Sequence, residues 1–467
     1  MDITGFKYFF FVGIGGIGMS AQARYFKLSG KNVAGYDRTP SALTANLEKE
    51  GTTVFFSDEP DLIPSGFKNR LDTLVVYTPA VKDDNKILQC FRENNFTILK
   101  RSKVLGLLSE RFKTIAVAGT HGKTSVSTMA AHLLKQSAVD CSAVLGGISK
   151  NYQTNLLVSE TSAFLITEAD EFDRSFLQLH PYIAVITSAD PDHLDIYGTP
   201  ENMREAFAEF AGQVATTGFL IIKHGINLDL SNVKTGKIIT YSFNSPDAHI
   251  KAENVRISGG KMIFDFYSPA ISIQNIEMAA TGTVNIENAL PAVYAAFLSG
   301  ATEHEIRSGL ATFSGVVRRF DLQFNDGEVI YIDDYAHHPE EINALIRSVK
   351  AIYPGRKLTG IFQPHLFTRT RDFADGFAAS LDALDEAILL EIYPAREKPL
   401  PGVTSAMILN RMKNPHKSII NKELLPESLN NRNLEILLTI GAGDIDRLVS
   451  PIKHFLSDSY SLKNQKS

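Results

Sequence analysis

Three observations predict an α/β chain built from successive units. Apolar runs of strand length alternate with helical patterns along most of the sequence. Two of these runs lead into Gly-rich loops, Gly13-Ile14-Gly15-Gly16-Ile17-Gly18 and Gly119-Thr120-His121-Gly122-Lys123-Thr124. A further α/β pattern begins near Phe313, and its strands end in turns rich in Asp, His and Arg.

In residues 1–101, strands are predicted at 8–12, 33–36 and 74–77, and helices at 20–28 and 41–50, the alternation of a parallel doubly wound sheet. A second unit, 102–312, opens with a strand at 114–118, the second loop and a helix at 123–134. Strands at 164–168 and 183–188 follow, then Gly-punctuated hairpins between 238 and 276 and a helix at 286–298. The third unit, 313–467, carries strands at 329–332, 358–362, 387–390 and 434–440, with a polar tail from Ser457. The turns after these strands hold Asp333 and Asp334, then Gln363 and His365, then Glu391, then Gly441 to Asp444. Ligands of open parallel sheets bind beyond the C-terminal strand ends, so these turns are expected to face a site.

The chain has 467 residues, 44% hydrophobic and 21% charged, the make-up of ordinary globular domains. A net charge of −5 argues against a broad nucleic-acid surface, so an anionic substrate needs local Lys, Arg and backbone N–H groups. Cys90 and Cys141 lie far apart and in no metal-ligand spacing, which fits a reducing cytoplasm. No apolar run approaches the ~20 residues of a membrane helix.

The first loop matches G-x-G-x-x-G at Gly13, Gly15 and Gly18, where glycines let backbone N–H groups approach a pyrophosphate. Asp37 ends the next strand, where an acid would meet a ribose. Alone, the loop reads as NAD binding, but nothing downstream resembles hydride-transfer machinery. The second loop is the shorter G-x-x-G-K-[ST] form, with Val117 in place of a first glycine. Lys123 can reach the β- and γ-phosphates, and Thr124 can ligate Mg²⁺. A chain with both loops is expected to use a triphosphate to do work on a second nucleotide-bearing molecule.

Glu168 ends one strand of the second unit and His193 follows the next. Neighbouring parallel strands would bring them together near Thr124, a chemically sensible set around Mg²⁺–phosphate. Arg318-Arg319-Phe320 opens the third unit, and an Arg there can stabilise charge on a transferred phosphoryl group. Asp333-Asp334-Tyr335-Ala336-His337-His338-Pro339 is denser in reactive side chains than an ordinary turn. Arg369 and Arg371 either clamp a carboxylate or phosphate or pair with acids such as Asp372 and Asp375.

Together these motifs resemble the Mur ligase superfamily, over essentially the whole chain and in order. They are GIGGIGMS at 13–20, GTHGKTS at 119–125, EADEFDRSFL at 168–177, DPDHLDIY at 190–197, NIENA at 285–289, RRFD at 318–321, DDYAHHP at 333–339 and FQPHLFTRTRD at 362–372. The resemblance is strongest to members that join L-alanine to UDP-N-acetylmuramate at the expense of ATP. It implies a UDP-sugar-binding Rossmann-like domain, a central P-loop mononucleotide-binding domain and a C-terminal Rossmann-like domain that receives the amino acid. The first is expected to hold the UDP-sugar through Gly13, Gly15, Gly16, Gly18, Met19, Ser20 and Asp37, with Asn155 nearby. ATP is expected on Gly119, Thr120, His121, Gly122, Lys123, Thr124 and Ser125, with Asn285 and Asn288 at the adenine end. Mg²⁺ would be held by Thr124, Glu168 and His193. Arg319 and Asp333 would complete the site, and Tyr335, His337, Arg369 and Arg371 would surround the alanine and the reacting carboxylate. The implied protein is a bacterial cytoplasmic enzyme, a monomer or weak homodimer, without nucleic-acid or membrane partners.

Three departures are visible. Val284 stands where relatives often place a His before the first adenine-site Asn, and Leu366 follows His365 where many have Arg. Sister ligases carry a carbamylated lysine after the metal His, whereas residues 193–218 contain none, which implies activity independent of carbamylation. The nearest alternative is the recycling ligase that joins a whole tripeptide to the same sugar. An NAD-dependent oxidoreductase is the alternative from another class, and it leaves the second loop unexplained.

Overall fold

The computed structural model describes residues 1–464 except 193, 259–260, 281, 396 and 431. The chain forms two compact units. The first comprises Met1–Arg256, Ile263–Ala279 and Glu287–Ser314; the second comprises Ile257–Met262, Ala280–Ile286 and Gly315–Ser467.

The first unit begins with a five-stranded parallel sheet in the order Thr53–Phe55, Asn32–Tyr36, Tyr8–Val12, Thr73–Tyr77, Thr97–Lys100. The central strand reads YFFFV because both of its faces are covered. Phe9 and Phe11 enter one core cluster and Phe10 and Val12 the other, as the two-residue period of a strand requires. The helix at Ala42–Lys49 starts on a capping box between Ser41 and Thr44.

A seven-stranded sheet follows, ordered Ile238–Tyr241, Phe219–Lys223, Ile183–Ile186, Lys113–Ala118, Phe164–Ala169, Ser142–Ser149, Thr154–Leu157. Only the pairing of Ser142–Ser149 with Thr154–Leu157 is antiparallel among those described. Two expectations change here. Ile238–Tyr241 is a parallel edge strand rather than part of a hairpin, and the remaining β pattern forms a separate three-stranded sheet from Lys251–Ser258, Lys261–Tyr267 and Ser272–Met278. The strands bearing Glu168 and leading to His193 are not neighbours, because Lys113–Ala118 lies between them.

The second unit has a six-stranded sheet ordered Asp321–Asn325, Ile330–Asp334, Ile436–Ile440, Leu358–Phe362, Glu386–Leu389, Lys417–Ile419. Its first strand is antiparallel and the rest are parallel. Asp333 and Asp334 belong to the strand itself, not to the turn after it. Both are paired in register, Asp333 with Asp321 and Thr439 and Asp334 with Ile440. Charged residues are tolerated in so buried a strand only because their carboxylates are neutralised or hydrogen-bonded. The helix Val449–Asn464 runs through Ser457 into the stretch expected as a polar tail.

Candidate functional site

The strand Lys113–Ala118 is buried from Thr114 onward and ends at Gly119, whose φ is +137°. A Cβ at Gly119 would stand 2.1 Å from Thr187 Oγ1, so only glycine fits. Thr187 and Ser188 were expected in a strand; they instead form a brace beside the loop. Thr187 Oγ1 donates to the Ala118 carbonyl at 3.1 Å and to that of His121. Ser188 Oγ accepts the His121 N–H at 2.8 Å and lies 2.8 Å from Thr120 Oγ1. The helix Lys123–Lys135 then starts on left-handed Gly122 with no side-chain cap, leaving first-turn N–H groups for an anion. Thr124 is buried in that turn, and Asn288 Oδ1 lies 3.1 Å from the Cβ position of Gly122.

Lys123 is turned inward. Its Nζ donates to the Gly119 carbonyl at 2.6 Å and to both oxygens of buried Glu171 at 2.8 and 2.7 Å. Burial opposes its charge, but the Glu171, Asp170 and Glu168 carboxylates outweigh that effect and hold its pKa above the ordinary lysine value. Glu168 pairs in register with Val117, one strand over from the loop, and accepts the Gly146 N–H at 3.0 Å. His193 lies outside the described residues.

The first loop turns at Gly13, with φ +89°, and its Gly15 N–H donates to Asp37 Oδ2 at 2.7 Å. Asp37 thus braces the loop itself. The helix begins at Ile17, three residues earlier than expected, and places Gly18, Met19 and Ser20 in its first turn. Asn155 Nδ2 donates to Ile17 O at 2.6 Å and Ser20 Oγ at 3.1 Å, and its Oδ1 accepts from Arg24 at 2.6 Å. Ser20 and Asn155 therefore lock the helix in place. Gly16, Gly18 and Met19 line a cavity of about 230 Å³, together with Arg101, Gly146 and Glu168. The cavity thus brings the first loop to the carboxylate beside the second.

In the second unit, Arg318 and Arg319 both stand over the Tyr335 ring but pair with different acids. Arg318 donates to Asp333 Oδ2 at 3.2 Å and to the Gly441 carbonyl at 2.5 Å. Asp333 is fully buried and also accepts from Thr439 at 2.6 Å. Arg319 lies over the Tyr335 ring at 4.9 Å and 3.8 Å from Glu341. Asp334 accepts the Phe320 and Ala336 N–H groups at 2.6 and 2.7 Å, yet burial pushes its pKa up to about 6. Glu341 accepts the His337 N–H at 2.8 Å, and His337, His365 and Tyr393 form a ring-to-ring row. The expected Arg369/Arg371 clamp is divided. Arg369 is buried, whereas Arg371 is half-exposed and donates to Asp372 at 2.7 Å, the pairing foreseen as the alternative. Leu366, one of the departures, holds φ at +70° as it starts the helix Phe367–Asp372.

Glu171, Arg101, Asp170, Glu341 and Tyr393 were not singled out from sequence. Glu171 had a signal, its place three residues after Glu168 in EADEFD; Tyr393 had none.

Residues 9–113 match the profile described as "Mur ligase family, catalytic domain", 117–296 the "Mur ligase middle domain" and 318–441 the "Mur ligase, glutamate ligase domain". The chain is 52% identical to the UDP-N-acetylmuramate–L-alanine ligase of Parabacteroides distasonis, over 98% of each chain. It is 51% identical to that of Phocaeicola vulgatus, over 97% of this chain and 98% of the relative. Its fold matches the crystal structure of UDP-N-acetylmuramate-alanine ligase MurC from Thermotoga maritima with a TM-score of 0.80, at 27% identity over 97% and 99% of the two chains. Matched along nearly its whole length and in all three domains, the chain belongs to the Mur ligase family.

Proposed function

We propose that the protein joins L-alanine to the lactyl carboxylate of UDP-N-acetylmuramate, with cleavage of ATP to ADP and phosphate, in peptidoglycan precursor synthesis. The observation that carries this reading is the cavity shared by the first Gly-rich loop and Glu168, in the same compact unit as Lys123. A sugar nucleotide and a triphosphate are the ligands those two loops fit. The names of the full-length relatives agree with it.

A carboxylate is a poor electrophile, and phosphate is a good leaving group. The lactyl carboxylate therefore takes the γ-phosphoryl group, forming an acyl phosphate and releasing ADP. The amine of L-alanine attacks the acyl carbon, the tetrahedral intermediate expels phosphate, and the amine proton passes to solvent or base. Lys123 and the N–H groups of the Gly119–Lys123 turn hold the phosphates, so positioning and electrostatics supply most of the acceleration. Asn285 and Asn288 are assigned to the adenine. Tyr335 and His337 are assigned to the amino acid, and Arg319 to charge on the transferred group. Arg369 joins them as a candidate for the substrate carboxylate.

The residues also fit Mg²⁺. No group of three or more His, Cys, Asp or Glu among the described residues is arranged to hold a metal ion, but Mg²⁺ on a nucleotide keeps waters and phosphate oxygens and needs few protein ligands. Thr124, with Glu168 on the adjoining strand, offers hard oxygen donors, and His193 joins them by resemblance. The ion, when bound, neutralises charge on the phosphates.

The test is phosphate release from ATP with UDP-N-acetylmuramate and either L-alanine, glycine, L-serine or the tripeptide. Release with L-alanine is expected. Release with the tripeptide alone would replace this reading with the recycling activity, and no binding of either nucleotide would remove it.

A further inference from the structure

Three carboxylates in the segment after Glu168 each hold a different cation. Asp170 meets Arg101 at 3.2 Å, Glu171 meets Lys123 at 2.7 Å and Asp173 meets Lys100 at 2.9 Å. The segment is tightly held. Asp173 and Arg174 both take left-handed backbone conformations, at φ 54° and 53°, a strain kept only where surroundings over-determine it. Tyr197 OH donates to the Glu171 carbonyl at 2.7 Å, and the Phe176 N–H donates to the Asp170 carbonyl at 2.9 Å.

Glu171 differs from its two neighbours. The Glu171 side chain is 2% exposed and that of Lys123 15%, whereas the Lys100–Asp173 pair is substantially solvated. A buried ammonium without a counter-ion is costly, so some anion must face Lys123 at all times. On the proposed reading, that anion is the triphosphate when nucleotide is bound. In the structure Glu171 faces Lys123 at 2.7 Å, and Lys123 also reaches the Gly119 carbonyl inside its own loop.

We propose that Glu171 is a positioning residue, a resident counter-ion that holds the P-loop lysine charged and aimed until the nucleotide phosphates take it over. Glu171 therefore competes with the nucleotide for Lys123. This inference rests on the ATP-binding reading and adds the residue that sets the nucleotide's apparent affinity. Neutralising Glu171 removes the buried salt bridge that the phosphates would otherwise have to displace, which favours the bound state.

Calorimetric titration with the Mg²⁺ complex of a non-hydrolysable ATP analogue tests it, on full-length wild type, Glu171→Gln, Glu171→Asp and Asp173→Asn. Glu171→Gln is expected to lower the Kd for the analogue about threefold or more and to increase its thermal stabilisation, while the Kd for UDP-N-acetylmuramate stays unchanged. Glu171→Asp keeps the charge and is expected to stay near wild type, as is Asp173→Asn, which disturbs the same segment without touching Lys123. Weaker or unchanged analogue binding by Glu171→Gln overturns the proposal, and so does an equal effect from Asp173→Asn. If Glu171→Gln fails to fold, a Glu171→Asp Kd far from wild type overturns it too. A wild-type protein that binds neither nucleotide overturns the functional reading along with it.

Discussion

Arg318 Nε donates to Asp333 Oδ2 at 3.2 Å in a strand where Asp333 has no solvent exposure, and Thr439 Oγ1 donates to its other oxygen at 2.6 Å. Burial raises the Asp333 pKa, while Arg318 and Thr439 act to keep it ionised. The adjacent Arg319 shares the Tyr335 ring with Arg318 but takes no part in this pair, lying 3.8 Å from Glu341 instead.

The two arginines should therefore fail differently when replaced. Arg318→Met removes the partner of a buried carboxylate and is expected to cost about 3 kcal/mol of stability. Arg319→Met leaves Asp333 paired, so its thermal midpoint should stay close to wild type while ligation falls at least about a hundredfold. Thermal melts beside phosphate-release rates check both. Equal destabilisation by the two variants would contradict the division of labour.

Gly119→Ala is expected to abolish binding of an ATP analogue. The new methyl meets Thr187 Oγ1 at 2.1 Å, and a φ of +137° is a conformation that alanine rarely adopts. Relief requires the loop to move away from the Thr187–Ser188 brace that orients its N–H groups. The cavity lined by Gly16 and Met19 is built from other segments, so binding of UDP-N-acetylmuramate should survive. Calorimetry with each ligand separates these outcomes, and normal analogue affinity would show that the loop tolerates the change.

Activity should be the same in CO₂-depleted buffer as with added bicarbonate. The resemblance implies a carbamylated lysine after the metal His in sister ligases, and residues 193–218 contain no lysine. Turnover that vanishes without bicarbonate and returns with it would show that a lysine elsewhere fills the role.

The parts of this fold legible in the sequence are those where one local cause suffices. A buried strand such as Tyr8–Val12 announces itself by apolar content, and Gly119 to Thr124 by residue type and spacing. Asp333 and Asp334 read as turn residues because local propensity expels acids from strands; Arg318 and Thr439, which make the strand possible, are distant in sequence. Sheet order was hidden for the same reason. The insertion of Lys113–Ala118 between the strands at Phe164–Ala169 and Ile183–Ile186 is a long-range choice. The division between Arg369 and Arg371 follows from helical geometry, which sends residues two apart to different faces once Phe367–Asp372 coils.

The last prediction concerns His132, on the helix that the second loop starts. It is 2% exposed, with Nδ1 3.0 Å from Tyr152 OH and Nε2 3.0 Å from Thr312 Oγ1. Burial lowers its pKa from 6.5 to about 4, so the folded protein keeps the ring neutral where the unfolded chain would protonate it. The sign follows from proton uptake. Between these values the unfolded state binds the extra proton, so stability falls with falling pH. The contribution is fully present above pH 6.5 and is lost as pH drops towards 4, a span worth roughly 3 kcal/mol. Carboxylates elsewhere also titrate in this range, so the readout is a difference. Urea unfolding of wild type and His132→Gln should show a gap in stability that narrows steadily from pH 7 to pH 4.5, because glutamine has no proton to gain. A gap that stays constant would mean that the imidazole takes up its proton as readily in the folded protein as in the unfolded chain, or that its pocket opens before it titrates.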